Sequence, residues 1–475
     1  MGSRKLSSQD RDDFMKEHLV ISCLAAFLSA LALAGCSTTN ATYKDAPFNF
    51  VESVGISQAG GPVPLIGFDI SWVDATTHTY YLAAAQYAGI ITIDLNTFTN
   101  PSGPTASYLG TGAFAGNISD PFNVDPNHPY EGGPNGVLVV GGTEVWAADG
   151  SPYTYSTSGG VTTYSNDVCN SSVKVINLNS KAVTPIYTNG CFRADELAYD
   201  STDNLVLVGN PEEDPTMVVN PNATNGKNTP TAPFISLIST TTKKLVAQIA
   251  FDGTNGSPNA VGGIEQPTYS SKTGNFYVAV PLDGPTDPGN GAIAVISPTT
   301  LKVVNKFPLT NCVPNGMAIG PDGQEAFLAC NSTTGPQLIS LVNGSKIASF
   351  PNSVPAPTDS ASLAIYPFAG NMCDQAWFNP TLNQYYAACQ FAYNNSLVTV
   401  VDAGSGLTGA TFLQNILVNP QGITSAGAAH SVASDPTTGA LIVPLPMGAP
   451  WCPSPANPGC IGIWAPQGSE VAKPW

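Results

Sequence analysis

One pattern recurs seven times along this chain and restricts its possible folds more than any other feature. A polar residue opens a short apolar run, a turn follows about five positions later, and a second apolar run returns. It reads "DISWVDATTHTYYLA" from Asp69, "DELAYDSTDNLVLV" from Asp195, "EQPTYSSKTGNFYVA" from Glu265 and "NGMAIGPDGQEAFLA" from Asn315. It reads "DQAWFNPTLNQYYAA" from Asp374 and "HSVASDPTTGALIV" from His430, and "NGVLVVGGTEVWAA" from Asn135 fits more loosely. Third runs follow in "IITID" (90–94), "VKVINL" (173–178), "FISLIS" (234–239), "AIAVIS" (292–297), "LISLV" (338–342), "LVTVV" (397–401) and "IGIW" (461–464). Many units add a fourth, such as "LVAQIA" or "KVVNKF". Four strands per unit, repeated seven times, predict an all-β protein, a seven-bladed β-propeller of four-stranded blades. A β-sandwich would leave the repetition unexplained.

The seventh unit lacks a fourth run, whereas "NFVESVGIS" (49–57) precedes the first unit as a spare strand. It is expected to complete the last blade, so that no sheet edge is left open. Composition agrees with an all-β chain: 46 Gly and 41 Pro supply turns, and only 10% of residues are charged.

The N-terminal region lies outside the repeat. "MKEHLVISCLAAFLSALALAGC" places Lys16 before an apolar core from Leu19 to Ala34 and small residues before Cys36. Leu33-Ala34-Gly35-Cys36 resembles the lipobox of bacterial lipoproteins, and polar "STTNATYKD" follows as a tether. The resemblance implies cleavage after residue 35 and a lipid on Cys36. The organisation expected is a signal peptide over 1–35, a lipidated tether over 36–46 and one propeller domain over 47–475. The place expected is the bacterial cell envelope, on the outer membrane or facing the periplasm in a Gram-negative host, with the lipid as the sole membrane contact.

Removing residues 1–35 takes away equal numbers of acidic and basic residues, so the net charge stays at −17. Such a surface repels nucleic acid and suits cations or cationic partners. Besides Cys36, eight cysteines remain in an exported chain, where disulfides persist. Residues equidistant from a hairpin turn face each other, which pairs Cys312 with Cys330, Cys373 with Cys389 and Cys169 with Cys191. Cys452 and Cys460 then remain for each other.

In a propeller the first strand of each blade lines the central channel. The position five before each turn is Asp69, Asn135, Asp195, Glu265, Asn315, Asp374 and His430, a ring with four acids and no basic residue. Polar residues at a wet strand start can simply cap backbone N–H groups. Crowded carboxylates instead call for a cation, a shared proton or separation. An oxygen-only set favours Ca²⁺ or Mg²⁺. In a wide channel only neighbours such as Glu265, Asn315 and Asp374 are expected to converge. His430, beside Asp374 or Asp69, is a candidate general base, with a structural histidine as the competing reading.

At Asn315, "PNGMAIGPDG" resembles a blade of the regucalcin and gluconolactonase family, six-bladed propellers that hold a divalent cation for lactone hydrolysis. On that resemblance Asn315, Glu265 in "GIEQPTY" and Asp374 in "CDQAWF" are metal ligands and Asp374 also a base. Gln266 and Gln375 stand where that family has small glycines. "VISPTTLKVV" is equally similar to YVTN- and NHL-type repeat propellers, whose members mostly bind partners. The function expected is therefore a binding or scaffold module for an envelope protein or small molecule, through loops such as 149–168 and 210–233, with the chain a monomer. The alternative is a divalent-metal-dependent hydrolase of lactones or esters.

Overall fold

The computed structural model describes residues 46–56, 65, 67–99, 103–115, 133–150, 154–158, 161–165, 170–190, 192–211, 232–285, 289–331, 335–350, 371–391, 396–419, 430–447, 449–452 and 459–469. Cys36, the signal segment and the Cys169–Cys191 pairing lie outside them, as do most of 210–233.

Seven four-stranded antiparallel sheets account for nearly all of the regular structure, in the order the repeat predicts. The first blade runs outward through Ser71–Asp74, Thr79–Ala84, Gly89–Asp94 and Ala106–Leu109. The fourth, Glu265–Ser270, Asn275–Val280, Ala292–Ser297 and Lys302–Pro308, repeats that course. In the second blade a hairpin of Thr154–Ser158 and Val161–Ser165 interrupts the path between the second and third strands. It occupies part of the loop 149–168 singled out from the sequence.

The turns are stitched by their own side chains. Asp74 accepts from the backbone N–H of Thr77 at 3.0 Å, and Asn379 from those of Thr381 and Leu382 at 2.9 and 3.0 Å. These are the short polar residues whose side chains replace a missing backbone partner in a turn.

The middle strands are apolar at consecutive positions because both faces of every blade are covered. Among the described residues the core divides into seven clusters, one at each contact between adjacent blades. Tyr80 and Leu82 pack toward the seventh blade, whereas Tyr81 and Ala83 pack toward the second. Strand alternation thus shares one strand between two interfaces. Each large side chain so buried contributes about 1.5–3 kcal/mol relative to exposure.

The seventh blade is assembled from both ends of the described chain. Phe48–Gly55 pairs antiparallel with Cys460–Pro466, Phe48 facing Pro466, and forms the outer strand. The spare strand therefore does what the sequence leads one to expect. Disulfides join Cys312 to Cys330, Cys373 to Cys389 and Cys452 to Cys460. Cys373 and Cys389 face each other across one hairpin, as the turn arithmetic predicts, whereas Cys330 faces Pro314 and its bridge reaches Cys312 two residues before the strand.

Candidate functional site

The innermost strands of the first six blades begin with a β-bulge, and these bulges build the channel mouth. The Asp69 N–H donates to the carbonyl of Ala83 at 2.9 Å, while the Ala83 N–H donates to the carbonyl of Ile70 at 3.0 Å. Two residues thus oppose one. The same pairing sets Asn135 and Gly136 against Ala148, and Asp195 and Glu196 against Gly209. Register shifts mark the equivalent place in the fourth, fifth and sixth blades. A bulge interrupts the alternation of faces, so in these six blades the residue after the ring position also enters the channel region.

What occupies that second position decides how the blades meet. Gly136 and Gly316 allow direct contact: a Cβ on Gly136 would lie 2.2 Å from the Asp195 carbonyl oxygen, and one on Gly316 2.0 Å from that of Asp374. Gln266 instead reaches across, accepting from the N–H groups of Met317 and Ala376 at 2.9 and 3.0 Å and donating to the Ala376 carbonyl. Gln375 accepts from the Val432 N–H at 3.0 Å and the Ser431 hydroxyl at 2.5 Å, and donates to the Ser71 carbonyl at 2.7 Å. Each amide ties together innermost strands from three blades.

The mouth is consequently narrower than the sequence suggests. His430 Nε2 lies 2.8 Å from Asp69 Oδ1, and His430 Nδ1 lies 2.7 Å from Asp374 Oδ2. Arg193, from the segment just before the third blade, lies 3.5 Å from Asp69 and 3.2 Å from Asp195. Glu196, Glu265 and Asp374, from the third, fourth and sixth blades, bring carboxylate oxygens within 4.8 Å of one another. The expectation that only neighbours converge is corrected here: the bulges and the glutamine ties draw non-adjacent strands inward.

All seven ring residues lie at the starts of innermost strands, but their roles diverge. Glu265 and Asp374 share the acidic cluster, His430 bridges Asp374 and Asp69, and Asp195 pairs with Arg193. Asn135 is fully buried, with its amide N–H₂ 3.4 Å from the Ala194 carbonyl and Oδ1 without a hydrogen-bond partner. Oδ1 of Asn315 is likewise buried and without a partner. Arg193, Glu196, Gln266 and Gln375 were not identified as site residues from the sequence. The bulges offered one signal, since Asn-Gly at 135–136 and 315–316 marks a backbone that another strand must approach.

The electrostatics divide the mouth in two. Burial opposes the charge on His430, but the adjacent Asp374 and Asp69 carboxylates prevail and raise its pKa well above 6.5. With an acceptor at each ring nitrogen the imidazole is held as a doubly protonated cation. Asp69 shows the reciprocal effect: burial works against its ionisation, yet His430, Arg193 and a hydrogen bond with Asp195 lower its pKa overall. Glu196 and Glu265 are pushed the other way. Burial raises both well above the usual carboxylate value, assisted by Glu265, Asp195 and Asp374 around Glu196, and by Asp374 and Asp195 around Glu265. Two carboxylates at the 4.8 Å limit repel by about 3.5 kcal/mol at an effective dielectric of about 20. The trio therefore holds protons or a cation.

The donor set is entirely oxygen, the chemistry of Ca²⁺ and Mg²⁺. Glu196, Glu265 and Asp374 could supply charged ligands and Asn315 a neutral one, its orphaned amide oxygen being the kind of atom a metal satisfies.

No family model matches the chain, and no curated protein matches its sequence. Solved structures match in fold. The chain is similar to a chain of a mitotic checkpoint complex, with TM-score 0.50 and 10% identity over 88% of this chain and 93% of that one. It is similar to the WD40 propeller domain of Doa1, with TM-score 0.50 and 9% identity over 89% and 98%. A chain of the hydrazine synthase of Kuenenia stuttgartiensis gives TM-score 0.50 and 12% identity over 81% and 93%. At such identities the likeness establishes the propeller fold.

Proposed function

We propose that this protein is a lipid-anchored binding propeller of the bacterial cell envelope whose channel mouth holds a divalent cation, calcium above all. The observation that carries the cation reading is the convergence of Glu196, Glu265 and Asp374 from three separate blades within 4.8 Å. Buried, unpartnered oxygens on Glu196 and Asn315 support it. Calcium suits an irregular set of carboxylate and amide oxygens better than magnesium, which demands near-octahedral geometry. The fold supports a binding role in general, since propellers present loops around a rigid ring. Anchoring rests on the lipobox at Cys36.

A binding role is preferred to lactone or ester hydrolysis because His430 is unsuited as a base and Asp374, the other candidate base, is engaged by His430 and the acidic cluster. An imidazolium donating from both nitrogens has no lone pair with which to take a proton from water, so His430 is a fixed counter-charge rather than a general base.

Calorimetric titration and thermal melting of chelator-stripped protein test the cation. Calcium at about a hundred times its Kd stabilises by about 2.7 kcal/mol. A native chain of roughly 430 residues has a melting entropy of about 0.9 kcal/mol/K, so the melt rises by about 3 °C. Asp374→Asn and Asn315→Ala should each remove most of that rise. Identical melts in calcium, magnesium and chelator would reject the metal site.

A further inference from the structure

Beyond the acidic mouth the channel runs toward the face that carries the turn between the first two strands of each blade. It contains a cavity of about 480 Å³ walled by the innermost strands of six blades. That volume falls within the range of about 300–1,000 Å³ typical of small-molecule sites. Trp72, Trp377, Tyr199, Tyr269 and Phe378 line it, and all five are partly exposed rather than sealed in the core. Trp72 and Trp377 meet edge to face with ring centroids 5.2 Å apart.

Glu196, Gln266 and Gln375 also line this cavity, at the end nearest the mouth. The two glutamine amides are occupied by the backbone ties between blades. Glu196 is 3% exposed, and its Oε2 has no hydrogen-bond partner. The cavity therefore combines an aromatic wall with a single unsatisfied carboxyl oxygen at its inner end.

We infer that this cavity binds an organic ammonium ion, a quaternary or primary amine on an apolar body, with its cationic head toward Glu196 and its body against the aromatic wall. An inorganic cation would leave the apolar wall unused. A neutral apolar ligand would leave the Glu196 oxygen unpartnered, and an anion would face the acids of the mouth. Aromatic faces attract a cation through the ring quadrupole, most strongly at tryptophan. The net charge of −17 favours the approach of such a ligand. This site rests on the cavity; because the two proposals share Glu196, the ammonium head competes there with the proton or metal ion that the acidic trio otherwise holds.

The test is calorimetric titration of the full protein, in chelator, with benzyltrimethylammonium, benzyl alcohol and phenylacetate. The ammonium ion should bind about tenfold or more tightly than the alcohol, and phenylacetate not at all. Glu196→Gln should bring the ammonium down to the alcohol's level. Trp377→Leu should weaken it about tenfold while the calcium-dependent rise in melting temperature stays as in the wild type. Should Trp377→Leu fail to fold, Tyr199→Leu replaces it. Equal affinity for ammonium and alcohol, no binding of the ammonium at ten millimolar, or insensitivity to both substitutions would overturn the inference. Ammonium binding without any calcium effect would remove the metal site and leave this one standing.

Discussion

Replacing His430 by glutamine removes a side chain that joins Asp69 to Asp374, and the geometry sets both the size and the pH dependence of the loss. Breaking a buried ion pair by removing one partner costs about 3–5 kcal/mol. Glutamine can still donate to one carboxylate, which puts the cost near the lower figure. With a melting entropy of about 0.9 kcal/mol/K for roughly 430 residues, the variant melts about 3 °C below wild type near pH 6. The sign of the pH effect follows from His430. Burial works against its charge, but Asp374 and Asp69 lift its folded pKa well above the unfolded 6.5. Its contribution is therefore complete below about pH 6.5 and is lost as pH rises toward the folded value. The loss proceeds at up to about 1.4 kcal/mol per pH unit between the unfolded and folded values, so the gap between wild type and variant should narrow as pH rises from 6 to 8. Asp69 acts at the acid end. Burial opposes its ionisation, but His430 and Arg193 lower its pKa overall, so its contribution is present above 3.8 and lost as pH falls through the folded value. Urea unfolding of both proteins in chelator, from pH 5 to 8, measures the gap. A gap that is constant over that range, or that widens with pH, would refute the imidazolium bridge.

Gly316→Ala should destabilise by about 1–3 kcal/mol, because its Cβ would strike the Asp374 carbonyl from 2.0 Å. Gly55→Ala, whose Cβ meets nothing within 4 Å, should stay within about 0.5 kcal/mol of wild type by urea unfolding, and equal effects would contradict the close approach of the blades. Mass mapping of unreduced peptides should recover the 312–330, 373–389 and 452–460 bridges and, from the sequence arithmetic, 169–191. Removing the 312–330 bridge, which spans 18 residues, should cost about 3 kcal/mol, and free thiols at Cys312, Cys330, Cys373 and Cys389 would contradict both pairings. Cys36→Ser should abolish lipid labelling and release the protein from membranes. Retention of that variant on membranes in high salt would refute the lipobox reading.

The fold was legible because turns repeat with the blades. Pro321-Asp322-Gly323 and Asp435-Pro436-Thr437 announce reversals whatever lies between them, and each puts a polar residue at the start of an innermost strand. The site was legible only in part. Strand periodicity of two assigns one channel-facing residue per blade, yet the bulges present Asp195 with Glu196 and Asp374 with Gln375. Arg193 escaped for a different reason. It precedes the strand, and only the length of its side chain carries it to Asp69 and Asp195. A register count finds strands, whereas long side chains and extra residues belong to the three-dimensional closure of the ring.

The pairing of Phe48 with Pro466 gives the molecule an order in time. For a loop of roughly 400 residues the length-dependent part of the closure entropy is about 5 kcal/mol, the steepest such cost among the strand pairs described. Until that strand docks, the face of the first blade that carries Tyr80 and Leu82 lacks part of its cover. Asp69 and His430, drawn from the first and seventh blades, meet only once the ring is shut. A nascent chain can build blade after blade as it emerges, but the His430 bridge from Asp374 to Asp69 forms only when the ring closes. That bridge is therefore a property of the closed ring and of no fragment that lacks the first or the seventh blade.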